Sequence, residues 1–136
     1  MGMIDMIIAI FQILIALGII GFWINFYFSE YKNRKMSEVE FKHEISFPLP
    51  DLCWVTPTLI IAAIFLLLEQ KFGFLFSVIA GSGMIFLGLI DLAFDLQNKK
   101  FYAKEYGFDA YMSVVIVGLM LIFGPIFIIY GALNLL

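Results

Sequence analysis

Two aspartates, Asp91 and Asp95, are the residues of this chain whose type and spacing most plainly invite chemistry. At i and i+4 they share one helix face, where like charges repel. A carboxylate pair of that kind can bind a polar ligand or take up a proton, and an acid within an apolar run needs a partner or water. Other chemistry-bearing residues are few: one histidine, His43, and one cysteine, Cys53. A single cysteine forms no intramolecular disulfide and no Cys-cluster metal site. No Ser-His or Cys-His arrangement can be built within the apolar runs, no glycine-rich phosphate loop follows a strand, and HExxH does not occur.

The elements that must position these residues follow from composition. Of 136 residues, 63% are hydrophobic and 14% charged, with a mean hydropathy of +1.03. A soluble domain of this size needs a larger polar skin. A pI of 4.9 and a net charge of -3 give no footprint for nucleic acid, and sixteen Phe exclude disorder. The expectation is an all-α membrane protein: one domain over residues 1–136, forming a four-transmembrane-helix bundle.

Four apolar runs are long enough to cross the bilayer, which takes about 20 helical residues each. They cover about residues 4–28, 52–68, 74–96 and 111–135. The first lacks a basic leader and a small-residue cleavage site, so it reads as retained. Between the second and third lies only Glu69-Gln70-Lys71-Phe72-Gly73, which predicts antiparallel neighbours. Asp51 reads as the N-cap of the second helix, with a bend at Pro57. Gly124-Pro125 interrupts the fourth, read as a packing kink before a gating hinge.

Seven of the eight basic residues lie in the loops 29–51 and 97–110, against Lys71 alone in the second loop. Because positive charge near span ends is retained inside, those two loops are expected to be cytoplasmic and both termini extracytoplasmic, in a plasma or inner membrane. Trp23, Tyr27, Tyr31, Trp54, Tyr102, Tyr106 and Tyr111 fall at the same span ends, where amphipathic rings prefer to sit. Within the first loop Val39, Phe41, His43, Ile45 and Phe47 alternate with polar residues. Period two predicts a short cytoplasmic strand over 39–47, paired with the third loop or with a second copy. His43, on its apolar face, reads as a packed side chain rather than a ligand.

Along the third span Ser77, Gly81, Met84, Gly88, Asp91, Asp95 and Asn98 form one stripe of small and polar residues. Membrane helices associate through such stripes, so this helix should be the central packing element, with Phe76, Ile79, Phe86, Leu89 and Phe94 facing outward. Gln12, on the other side of the first helix from Gly18, Gly21 and Asn25, is available to a second subunit. Asn25, Thr56, Thr58, Asp91, Asp95 and Ser113 all fall toward the cytoplasmic ends of their helices. All but Thr56, together with Asn98, are the candidate ligand-binding residues of a polar vestibule. The alternative reading stays open: Asp91 hydrogen-bonds a neighbouring helix, and Asp95 is an interfacial acid.

The Asp91-x-x-x-Asp95 spacing resembles half of the metal-binding pattern of membrane lipid phosphotransferases and prenyltransferases, which hold Mg²⁺ on a pyrophosphate. The Asp-x-x-Asp-Gly partner motif of the first is missing, and Leu87 stands where the second has Asn. A metal-dependent lipid-modifying enzyme is therefore the third choice, with metal and cofactor unassigned. A transporter or channel subunit comes second. It would require an oligomer, and the chain lacks the mid-helix Glu of small multidrug exporters, with Gln12 at that depth. A non-enzymatic ligand-binding or accessory bundle needs the least special chemistry and leads; its partners are the lipid bilayer and a homodimer mate or another membrane protein. Phe47-Pro48-Leu49-Pro50-Asp51, Trp54, Asp91, Asp95-Leu96-Gln97-Asn98 and Tyr102 together resemble a pattern of small prokaryotic four-helix integral membrane proteins. That resemblance implies a fold and neither a reaction nor a ligand.

Overall fold

In hydrocarbon no water satisfies the backbone, so an apolar run closes its N–H and C=O groups on itself as helix. The computed structural model describes residues 2–32, 36–98 and 107–136, and every regular element in them is helical. These are α1 (Met3–Phe26), continued by a π turn at Tyr27–Tyr31, α2 (Glu38–Glu44), α3 (Pro48–Pro50), a second π turn at Asp51–Val55, α4 (Thr56–Leu67), α5 (Phe72–Gln97) and α6 (Gly107–Leu135). Four helical segments, Met3–Tyr31, Glu38–Leu67, Phe72–Gln97 and Tyr111–Leu135, are long and apolar enough to cross a membrane. Bulky side chains such as Phe86, Ile122 and Ile129 lie exposed on the bundle's outside, as lipid contact requires.

The strand expected over 39–47 is absent: residues Glu38–Glu44 are α2. Its alternation is overridden by a helix start, because Ser37 Oγ accepts the Glu40 backbone N–H at 3.3 Å. Within α2 Glu40 and Phe41 are buried, as is Phe47 beyond its end. Phe41 stacks near Phe26 at 6.1 Å between ring centroids, so α2 lies across the end of α1. The proposed pairing with the third loop, and with it Tyr102, Tyr106 and the lysines at 99, 100 and 104, lies outside the described residues, as does Arg34.

The second span begins earlier than Asp51. Pro48 occupies the first helical position, and Asp51 is inside the helix rather than capping it. Pro57 has no N–H to donate and its ring would strike the carbonyl four residues back. The chain answers by widening: the Thr56 N–H bonds to the Asp51 carbonyl, five residues back, in the π turn. Thr58 Oγ1 donates to the Trp54 carbonyl at 2.8 Å, with the Val55 carbonyl at 3.0 Å. Its hydroxyl thus serves the backbone at the site of the defect.

Packing runs α1 on α4, α4 on α5 and α5 on α6. The α4–α5 hairpin is the expected antiparallel pair, closed by a turn in which the Gln70 N–H reaches the Phe65 carbonyl at 2.8 Å and the Glu69 N–H the Leu66 carbonyl at 3.0 Å. Glu69 adopts φ 58°, the left-handed position usually given to glycine. The small stripe of α5 meets α6: a Cβ on Gly81 would stand 2.5 Å from the Gly124 carbonyl oxygen, and one on Gly88 2.9 Å from Met120 Cβ. Gln12 does not face outward. It is fully buried, and its Nε2 donates to Ser77 Oγ at 2.7 Å, tying α1 to α5.

Candidate functional site

α1 and α6 are joined at the end that carries both termini and part toward the other. Tyr130 donates to Asp5, and Phe11 lies 5.3 Å from Phe123 between ring centroids. Beyond these contacts a cavity of about 390 Å³ opens between the second half of α1 and the first turns of α6. Leu87, Gly88 and Asp91 of α5 form its floor, and Met36, Glu44, Phe47 and Asp51 close its end. α4 contributes no residue to the lining. Gly18, on the wall, has nothing within 4 Å of where a Cβ would sit, so the space beside it is open.

The cavity gathers Asn25 from α1, Asp91 from α5 and Ser113 from α6, three of the expected ligand-binding residues. The other three lie elsewhere. Asp95 is fully buried one turn beyond Asp91 and outside the cavity lining. Thr58 is spent on the π turn described above, and Asn98 Nδ2 donates to the Phe94 carbonyl at 2.8 Å at the end of α5. Both polar side chains satisfy their own helix, a common fate of Thr and Asn near helix irregularities.

Asp91 has a specific partner. His43 Nε2 stands 2.9 Å from Asp91 Oδ1, with both side chains largely buried. The imidazole lies flat on Phe94, 3.6 Å away and 4° from parallel, and edge-on to Phe47 at 4.9 Å. Phe94, expected to face outward, is therefore the platform that orients the histidine. His43, Glu44 and Asp91 offer one nitrogen and two carboxylate oxygens within 4.8 Å of one another. A donor set of that kind suits a borderline divalent cation such as Zn²⁺ or Mn²⁺.

Five lining residues with polar side-chain atoms are absent from the expected set: Trp23, Ser29, Glu30, Glu44 and Asp51. The Trp23 indole N–H donates to Asp51 Oδ2 at 2.8 Å, joining α1 to the start of the second span. Among the described residues Asp51 Oδ1 has no hydrogen-bond partner, although the residue is only 7% exposed. Glu30 accepts the Met36 N–H, six residues on, at 3.1 Å. Four carboxylates thus line one end of a space whose remaining walls are mostly apolar. Among the described residues no lysine or arginine lines it. Comparison with protein-family models, with curated proteins and with solved structures returns no match.

Proposed function

We propose that this chain is a non-enzymatic membrane-embedded binding bundle, which holds a small ligand or lipid head group in the cavity beside Asp91. The observation that carries the reading is the convergence of Asn25, Asp91 and Ser113, from three helices, on one space of about 390 Å³. That volume is within the range of small-molecule sites, about 300–1,000 Å³, which pair apolar walls with a few convergent polar groups. The uneven basic residues support an orientation with loops 29–51 and 97–110 in the cytoplasm and both termini outside. In that orientation the polar end of the cavity lies near the cytoplasmic leaflet of a plasma or inner membrane. A second reading, a subunit of an oligomeric transporter, is favoured by one feature: α1 and α6 diverge beside the open space at Gly18, where a further copy would complete the wall.

Native mass spectrometry of the full chain released from native membranes tests the binding reading. The wild type should carry a small-molecule adduct, and Gly18→Phe, which fills the space without a backbone clash, should lose it while keeping its thermal stability. An adduct equally retained by Gly18→Phe would overturn the reading.

A further inference from the structure

The same cavity carries an inference about ligand class, which rests on the binding reading above. The lining already offers a positively charged ligand two carboxylates from different elements, Asp51 and Asp91. Asp51 sharpens the argument. Its Oδ2 is held by Trp23, but its Oδ1 is buried without a hydrogen bond among the described residues, on a residue that forms the cavity wall. A buried carboxylate oxygen left unsatisfied costs stability unless a donor or cation reaches it. The rings of Phe22, Trp23, Phe26 and Phe47 stand on the same wall. Carboxylates combined with aromatic faces are the surroundings that favour an alkylated ammonium, through charge and through cation–π attraction. A bare metal ion would use the oxygens and leave most of the 390 Å³, with its aliphatic walls, unfilled.

We propose that the cavity binds an organic ammonium cation bearing an apolar chain. The head group lies against Asp51 and Asp91 beside Trp23, and the chain runs along Ile19, Ile116, Leu119 and Met120. His43 continues to hold Asp91 Oδ1, so the head group meets a carboxylate already fixed in place.

The two tryptophans make this measurable. Trp54 is 56% exposed on the bundle's outside and Trp23 lines the cavity, so Trp54→Phe leaves Trp23 as the sole reporter. The full chain in nanodiscs is titrated with hexyltrimethylammonium, hexanol, hexanesulfonate and Zn²⁺ alone. The expected result is a saturable change in Trp23 emission with the ammonium, weaker by about tenfold or more for hexanol and absent for hexanesulfonate. Asp51→Asn, which keeps an oxygen for the indole N–H, and Asp91→Asn should each weaken the ammonium by about tenfold, while the exposed, distant Glu69→Gln should not. Equal affinity for hexanol, or indifference to both Asn variants, overturns the cation assignment and leaves the cavity reading standing. A saturable response to Zn²⁺ with none to the ammonium overturns it in favour of a metal. Loss of the Gly18→Phe effect described above would instead remove the cavity reading itself.

Discussion

Trp23 and Asp51, 28 residues apart in the chain, meet through a single 2.8 Å hydrogen bond from the indole N–H to Oδ2. Both residues line the cavity, and the bond holds the later part of α1 against the π turn that precedes α4. An aromatic side chain that composition alone would place at the membrane interface is thereby turned inward, 7% exposed, onto a buried acid.

Removing the donor should therefore be costly and removing the charge should not. Trp23→Phe keeps most of the ring but leaves Asp51 with neither oxygen bonded, at a cost of about 1–3 kcal/mol. Asp51→Asn retains an acceptor and should melt near the wild type. Thermal unfolding of both variants and of the double mutant checks this, and a double mutant as unstable as the sum of its parts would show the bond to be worth nothing.

The α4–α5 turn contains an opportunity for stabilisation. Glu69 holds φ 58° to close the hairpin, a conformation that a side chain resists and glycine accepts. Glu69→Gly should raise stability by about 1 kcal/mol, read as a higher unfolding midpoint with unchanged helix content. Glu69→Val should lower it.

Close backbone approach makes the opposite prediction at the α5–α6 contact. A Cβ on Gly81 would lie 2.5 Å from the Gly124 carbonyl oxygen, which cannot move without shifting α6. Gly81→Ala should cost about 1–3 kcal/mol despite the better helix propensity of alanine. Gly118→Ala, with nothing within 4 Å, serves as the control and should be neutral or mildly stabilising.

The proposed orientation yields a direct labelling result. In a Cys53→Ser background, a cysteine replacing Leu136 should react with a membrane-impermeant maleimide added to intact cells. A cysteine replacing Ser37, in the first loop, should react only after permeabilisation. Reversal of the two would invert the topology.

The helices were legible because an apolar run of twenty residues admits few structures in a bilayer, and the stripe from Ser77 to Gly88 announced the packing face of α5 through its small residues. Asp91 was legible because an acid in such a run needs an explanation. The alternation over 39–47 points to a strand, but Ser37-Glu38-Val39-Glu40 has the spacing of a capping box, and that local signal governs. Once 38–44 is a helix, His43 comes to Asp91. Asp51 escaped notice because an acid after Pro-Leu-Pro reads as an N-cap, whereas the helix had already begun at Pro48. Its pairing with Trp23 joins residues remote in sequence and was not accessible from spacing.

Thiol accessibility reports whether the cavity between α1 and α6, at the end opposite the termini, is open to small molecules. In the Cys53→Ser background, Ser113→Cys places a thiol on the cavity wall, and Ser77→Cys places one at a fully buried position outside it. A small aminoethyl thiosulfonate should modify Ser113→Cys readily, Gly18→Phe should slow that reaction, and Ser77→Cys should stay unmodified. Equal resistance of both thiols in the folded protein would contradict an open cavity.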